Sequence, residues 1–371
     1  MTDMNRRELF HTVAGAATAG MLANLTAAGQ ETKRQGSFTD VPGIRVGHFT
    51  EKRRPTGCTV ILFEQEASVG VDYDGSAPGD FLGVMLQPAS PINTVHGILL
   101  AGAGPFGLPA VQGVTRYLEE KKAGFDWGIP NLRIPIVVGA VIDDLALGDA
   151  GIRPGPEEAY KACQTASSVP VEEGNVGIGA GATVGKMLIG QGIGGMKAGV
   201  GCAGRRFGEV IISAMVVANA VGDIRDWRTA KILAGGRRAD GKGFVDIAER
   251  LGRNLAEKRA AVSSWLHDPA FRSTTLALVA TNVDFNKTEL TKMAMMASTG
   301  AARAINPYHT TGDGDSTFAI STNRLKQRVP VSVVGALAAE LVSEALKRSV
   351  LTATSIENWP AYRDYTAKLG T

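Results

Sequence analysis

The residues from Ala261 to Ser273 lack periodicity and include Pro269, and directly after them Thr274-Thr-Leu-Ala-Leu-Val-Ala-Thr281 is strongly β-prone. That pattern reads as an exposed loop, where nicking concentrates, delivering a hydroxyl residue to the start of a buried strand. If the bond before Thr274 is cut, the new α-amine sits on the residue that carries the hydroxyl. Such an amine has a reference pKa of roughly 8, so it can take a proton near neutral pH. One residue then supplies both nucleophile and base. The plain alternative is structural, because many strands begin with Thr after a loop.

Three further segments carry candidate chemistry. In Thr311-Gly-Asp-Gly-Asp-Ser-Thr-Phe318, the carboxylates of Asp313 and Asp315 project from a turn before a strand. They can be an ordinary Asp-Gly turn, a calcium site without the EF-hand pattern, or groups that orient a nucleophile and hold an ammonium. Gly194-Gly-Met-Lys-Ala-Gly-Val-Gly201 places Lys197 in glycine-rich backbone. It is either an exposed lysine or one brought close to a site with its pKa lowered. Val217-Ala-Asn-Ala-Val-Gly-Asp223 puts Asn219 at the end of an apolar strand, as a partnered core amide or as a donor to a developing oxyanion. Gly174 to Gly185 lacks the lysine–threonine ending of a phosphate loop and reads as a backbone-lined pocket wall.

The rest of the chain supplies the elements that hold these residues. With 371 residues, 44% hydrophobic and 20% charged, it can bury one large core or two small ones. Its 46 glycines are spread through apolar segments, which fits tight turns and close backbone packing. A net charge of +3, with no basic run interleaved with aromatics, speaks against nucleic-acid binding. The body of the chain shows no apolar run of membrane-spanning length. Strands are expected at Cys58–Phe63 and Ala67–Asp72, joined by a tight connection, and at Ile134–Ile142, Gly199–Cys202, Gly208–Val217 and Thr317–Ser321. Helices are expected at 108–122, 157–166, around 249–259, at 290–305, and at 331–348 behind Pro330. This mixture predicts an α/β or α+β layered protein with no internal repeat and no clear linker.

The N-terminus is separate. Arg6-Arg7 precedes a mild Ala/Gly-rich stretch from Thr12 to Ala28, which reads as a twin-arginine leader over 1–28, with export to the periplasm or beyond. An ordinary amphipathic helix is the alternative. Cys58, Cys163 and Cys202 form no CxxC pair and read as small buried thiols, although one bridge can form in an oxidising compartment. The five scattered histidines show no metal-ligand spacing, so neither metal nor cofactor is expected.

Taken together, Asp40-Val-Pro-Gly-Ile-Arg-Val-Gly-His48, Gly174-Asn-Val-Gly-Ile-Gly-Ala-Gly-Ala-Thr-Val-Gly-Lys186, Asn219, Thr274 and the Gly-Asp-Gly-Asp turn resemble the family of D-aminopeptidases, β-peptidyl aminopeptidases and nylon-oligomer hydrolases. The resemblance runs in the family's order over almost the whole mature chain. It implies a four-layer αββα sandwich, with two mixed β-sheets flanked by helices, in a single catalytic domain over 29–371. It also implies a precursor that cleaves itself into an α-chain, 29–273, and a β-chain, 274–371, and that assembles into tetramers or larger homo-oligomers. The implied substrates are short peptides or amino-acid amides, with no nucleic acid, and no membrane for the mature form. In the family the β-chain opens with Ser or Thr on a strand ending in Ala-Thr-Asp/Asn, and eight positions back from Asn282 lies Thr274. By the same resemblance Lys197 would lie near the nucleophile, Asn219 would help the oxyanion site, and Asp313 and Asp315 would anchor the amine end.

Two positions depart from the family. Ser273 precedes the cut where relatives have Asn or Gly. Asp143 occupies the place of a tyrosine that assists catalysis, which would favour cationic or amine-bearing substrates. Two alternatives stand beside this reading. One is an acyltransferase like the ornithine acetyltransferases, against which the leader speaks; the other is an uncleaved binding protein.

Overall fold

The computed structural model describes residues 36–257 and 273–369. The leader expected over 1–28 and the loop residues 261–272 lie outside them. Among the described residues, nine strands form one mixed sheet: β1 (Ile44–Thr50), β2 (Gly57–Asp72), β3 (Asp80–Phe81), β4 (Thr94–Ala101), β5 (Val137–Val141), β6 (Val200–Phe207), β7 (Val210–Val217), β8 (Leu276–Val283) and β9 (Ser316–Leu325). Their order is β3-β5-β4-β2-β9-β8-β7-β6, with β1 pairing β2 off this path. The pairs β4–β5 and β8–β9 are parallel, and the other pairs are antiparallel.

Side-chain alternation along these strands builds the layers. Leu276, Leu278 and Ala280 of β8 share an apolar cluster with Ile61 of β2, Ile98 of β4 and Val138 of β5. Because β8 is not a neighbour of β4 or β5 in the sheet, the two halves must face each other across this cluster. The opposite side chains of β8, Ala277 and Val279, pack toward helices α4 (Lys287–Ala304) and α5 (Val331–Leu351). On the far side, Val60, Leu62 and Leu99 pack with α1 (Val111–Glu120) and α2 (Pro156–Thr165). Two further helices, α3 (Ile247–Ala256) and α6 (Tyr362–Leu369), complete the α-helices among the described residues. The layers therefore run helix, sheet, sheet, helix, as the αββα expectation requires.

The difference lies in β2. The two strands expected at Cys58–Phe63 and Ala67–Asp72 are one strand of 16 residues. Its register against β4 shifts between Leu62 and Ala67, at the exposed Glu64-Gln65-Glu66. Those polar residues look like a turn but are a bulge whose side chains reach water while the ladder continues. The first half of β2 pairs with β1, and the second half with β9, so one strand belongs to both sheet halves.

Helix α4 begins with a reciprocal cap. The Asn286 side chain accepts from the Glu289 N–H, and the Glu289 carboxylate accepts from the Asn286 N–H. Helices α4 and α5 approach closely at Gly300, whose carbonyl accepts the Ser343 hydroxyl at 2.7 Å. A methyl group on Gly300 would overlap the Ala339 carbonyl, which is backbone and cannot turn aside. Cys58, Cys163 and Cys202 are all buried and unbridged, as read from the sequence. Gly300→Ala is expected to lower unfolding free energy by about 3 kcal/mol through overpacking, read as a lower urea midpoint at unchanged slope.

Candidate active site

Strand pairing alone brings the sequence candidates together. In the antiparallel pair of β7 and β8, Val217 faces Leu276, so the chain just beyond β7 runs beside the chain just before β8. There the Thr274 N–H donates to the Asn219 carbonyl at 3.0 Å. In the parallel pair of β8 and β9, Leu276 faces Ser316, which sets the residues before β9 against the other flank. The Gly314 N–H donates to the Ser273 carbonyl at 2.9 Å, and the Thr275 N–H donates to Asp315 Oδ1 at 2.6 Å. Thr274 thus enters the sheet between Asn219 on one side and the Asp313–Asp315 turn on the other. It is buried, and its hydroxyl donates to the Ser273 carbonyl at 2.7 Å. Gly314 has to lack a side chain here, because a Cβ would lie 2.7 Å from Thr274 Oγ1 and 2.5 Å from the Ala77 carbonyl oxygen.

Asn219 is fully buried and its polar atoms are engaged. Its Oδ1 accepts from the Thr183 N–H at 3.1 Å and from Lys186 Nζ at 2.9 Å, and its Nδ2 donates to the Asp143 carbonyl at 3.2 Å. Lys186 Nζ also reaches the Asn219 main-chain oxygen at 3.3 Å, the atom that accepts from Thr274. Burial pushes the Lys186 ammonium down to about 8, opposed by the carboxylates of Asp313, Asp143, Asp144 and Asp315.

Lys197 sits under the glycine-rich segment 174–185. It is neither exposed nor in contact with Asn219: its buried ammonium donates to the carbonyls of Gly179 at 2.9 Å and Ala182 at 3.0 Å, and to that of Ala198. Burial pushes it down to about 7. The cause is local pairing. Met196–Lys197 pairs antiparallel with Thr183–Val184, Lys197 opposite Thr183, which sets the lysine under the glycine-rich segment it ties down. The lysine that touches Asn219 is Lys186, which sequence reasoning passed over. The available signal was its place closing the run Gly174–Lys186.

Asp313 and Asp315 are both 1% exposed. Asp313 Oδ2 accepts from the Thr310 N–H at 2.9 Å and its hydroxyl at 2.8 Å, while Oδ1 is buried without a hydrogen-bond partner. Burial, and then the neighbouring Asp315 carboxylate, push Asp313 up to about 7, with Lys186 opposing. Asp315 Oδ2 faces the His309 N–H at 3.3 Å. These carboxylates meet N–H and O–H donors, which is the pattern of an anchoring turn and not of an oxygen cage for calcium. Among the described residues, no group of three His, Cys, Asp or Glu side chains is arranged to hold a metal ion.

The paired acids at 143 and 144 divide their work. Asp144 is buried against Arg54, and accepts from the Thr56 hydroxyl at 2.7 Å and the Ala103 N–H at 2.9 Å. Asp143 is half-buried, with Oδ1 accepting from the Leu145 N–H at 3.0 Å, and its carboxylate acts on Lys186. A surface cavity lined by Asp284, Lys287, Lys326 and Arg328 lies at the opposite end of β8 and includes none of these residues.

The profile of peptidase family S58 matches residues 36–361. An uncharacterized aminopeptidase of Mycobacterium leprae is 33% identical over 357 residues, covering 88% of this chain and 93% of that protein. A 6-aminohexanoate-oligomer endohydrolase of Kocuria sp. is 29% identical over 349 residues, covering 88% of each. The fold matches the L-aminopeptidase D-Ala-esterase/amidase of Ochrobactrum anthropi, a variant of the Ntn-hydrolase fold, with a TM-score of 0.64 at 19% identity over 92% of this chain and 97% of that one. A β-aminopeptidase of Burkholderia sp. matches with a TM-score of 0.62 at 21% identity, over the same shares.

Removing the Lys197 ammonium would take a donor from three buried carbonyls, of which those of Gly179 and Ala182 keep main-chain N–H partners. Lys197→Met is expected to cost about 3 kcal/mol of unfolding free energy, measured by urea denaturation at pH 6, where the ammonium is charged in both folded and unfolded chains.

Proposed function

This chain belongs to peptidase family S58, and we propose that it cuts itself between Ser273 and Thr274 and then hydrolyses amide bonds with Thr274 as nucleophile. The observation that carries this reading is the seat of Thr274, with Asn219 and Lys186 on one flank and two buried carboxylates on the other. In the uncut chain Thr274 Oγ1 lies against the carbonyl of the bond to be broken. Attack on the Ser273 carbonyl carbon forms an ester and frees the Thr274 nitrogen; water then releases Ser273 as a carboxylate. The nitrogen that donated to the Asn219 carbonyl becomes an α-amine beside that same acceptor, so it starts oriented.

Turnover repeats the chemistry on a substrate. The Thr274 hydroxyl adds to the substrate carbonyl, the α-amine takes its proton and passes it to the leaving amine, and water resolves the acyl-enzyme. The amide of Asn219, oriented by Thr183 and Lys186, stabilises the developing oxyanion together with backbone N–H groups. Asp313 and Asp315 take the substrate's leading ammonium, and Asp143 adds negative charge on the Lys186 side. No cofactor enters. The substrates that fit are short peptides, amino-acid amides or ω-amino-acid oligomers, in line with the names of the aminopeptidase and 6-aminohexanoate-oligomer relatives. The proposal includes export through the twin-arginine leader and assembly of αβ units into a homo-oligomer.

A denaturing gel with intact mass measurement tests the central step. The purified protein is expected as two chains, the smaller being the 98 residues from Thr274 to Thr371, whereas Thr274→Ala stays a single inactive chain. A wild-type chain that remains whole, or an active Thr274→Ala, would sink the reading.

The pH dependence follows from Asp313. Burial and Asp315 keep its proton on up to about 7, and the protonated acid cannot pair with an ammonium. For a substrate with a free amine, kcat/KM is therefore expected to climb as pH rises through about 7. Asp313→Asn should flatten that limb.

A further inference from the structure

Beside the anchoring turn stands a second polar cluster that the mechanism above does not use. His309 holds a left-handed backbone conformation, φ 54°, which is uncommon for a residue with a side chain. Its ring stacks on Tyr308 with centroids 3.7 Å apart. Nδ1 lies 3.3 Å from Asp315 Oδ2, within ion-pair distance though not in hydrogen-bond geometry, and that oxygen also faces the His309 N–H. On the ring's other side, Nε2 is 3.4 Å from Asp74 Oδ2 and 3.0 Å from the hydroxyl of Ser298 on α4. That hydroxyl is also within 3.0 Å of Asp74 Oδ2, to which it donates.

Asp74 begins the segment 74–79, which runs over the site. The Gly75 N–H donates to the Asp315 carbonyl at 3.2 Å, and the Ala77 N–H donates to the Asp313 carbonyl at 2.9 Å. The carbonyl of Ala77 comes down against Gly314, next to Thr274 Oγ1. Main-chain bonds thus join this segment to the turn, and the imidazole joins the same two pieces through their side chains. The burial gradient fits a bridge: Asp315 has 1% of its side chain exposed, His309 25% and Asp74 44%. Asp72 also feels the ring's charge, and Asp313 acts on Tyr308 beside it.

We propose that His309 is a positioning residue: by bridging Asp74 to Asp315, it fixes the wall against which the substrate's leading ammonium is held. This rests on the reading of Asp313 and Asp315 as the amine anchor. Without the ring, Asp315 Oδ2 loses an ion-pair contact and keeps the His309 N–H, and Asp74 loses its tie to the turn. The nucleophile keeps its own bonds to Asn219 and Ser273. The loss should therefore fall on substrate capture more than on bond breaking.

The test uses the full-length protein and an amino-acid p-nitroanilide with a free amine. His309→Ala is expected to cleave itself completely and to show KM raised about tenfold, with kcat within about threefold. His309→Asn should recover most of that KM, because Asn tolerates the left-handed backbone and keeps a polar side chain toward Asp315. Asp74→Asn, a change at a half-exposed side chain, should raise KM in the same direction, and the double variant Asp74→Asn/His309→Ala should be no worse than His309→Ala alone. The proposal is overturned by a wild-type KM in Asp74→Asn, by effects that add in the double variant, or by a loss confined to kcat with a lowered Tm. If His309→Ala does not fold, Asp74→Asn and His309→Asn decide the matter by the same KM criterion. Failure of the self-cleavage reading is seen separately, as an uncut wild-type chain on the gel.

Discussion

The structure depends on how β8 is clasped. Its antiparallel neighbour β7 and its parallel neighbour β9 present opposite ends of their ladders to the residues just before β8. The end of β7 therefore delivers Asn219, and the approach to β9 delivers Asp313 and Asp315, to the same place. No loop has to reach for Thr274. The geometry is a by-product of strand polarity, and its precision is that of a hydrogen-bonded ladder. A parallel pair costs a long crossover, here supplied by α4, whose cap at Asn286 starts the return path at a defined point.

Around that clasp the protein buries charge, and it does so with a consistent device. Lys197 is surrounded by carbonyls, Lys186 by an amide and the charge of four carboxylates, and Asp144 by Arg54, a hydroxyl and a main-chain N–H. For Asp144, glycine backbone lets the partners close in. Gly102 and Gly181 both abut the Asp144 carboxylate, where any side chain would collide with it. The high glycine count read from the sequence thus has a local purpose here. It clears room for polar groups that would otherwise be left unsatisfied out of reach of water.

Much of this was legible beforehand, and what was missed has physical reasons. The strand at 274–281, the turn at 313–315 and Asn219 at a strand end were readable from apolar runs and turn residues. The ladder then placed them together. The choice between the two lysines was not readable. Lys186 and Lys197 both sit in glycine-rich text, and which ammonium reaches Asn219 depends on the short Thr183–Val184 and Met196–Lys197 ribbon, too brief to leave a periodicity. The continuity of β2 was hidden by Glu64-Gln65-Glu66, since polar residues mark a turn and an exposed bulge equally well. His309 gave no signal at all. Its role comes from Asp74, a partner 235 positions earlier in the chain, and such pairings have no local trace.

The sheet order has a consequence for when the chain can be cut. β8 and β9 lie after Ser273 in sequence, yet they sit in the interior of the sheet, between β2 on one side and β7 on the other, both from the earlier part of the chain. The two pieces made by a break at Ser273 would be threaded through one another. Neither could assemble its half of the sheet alone, and neither could leave without tearing open two ladders. On the proposed reading, breakage at this bond would report that assembly has finished, and the resulting amine would exist only in a molecule that has already passed its own inspection.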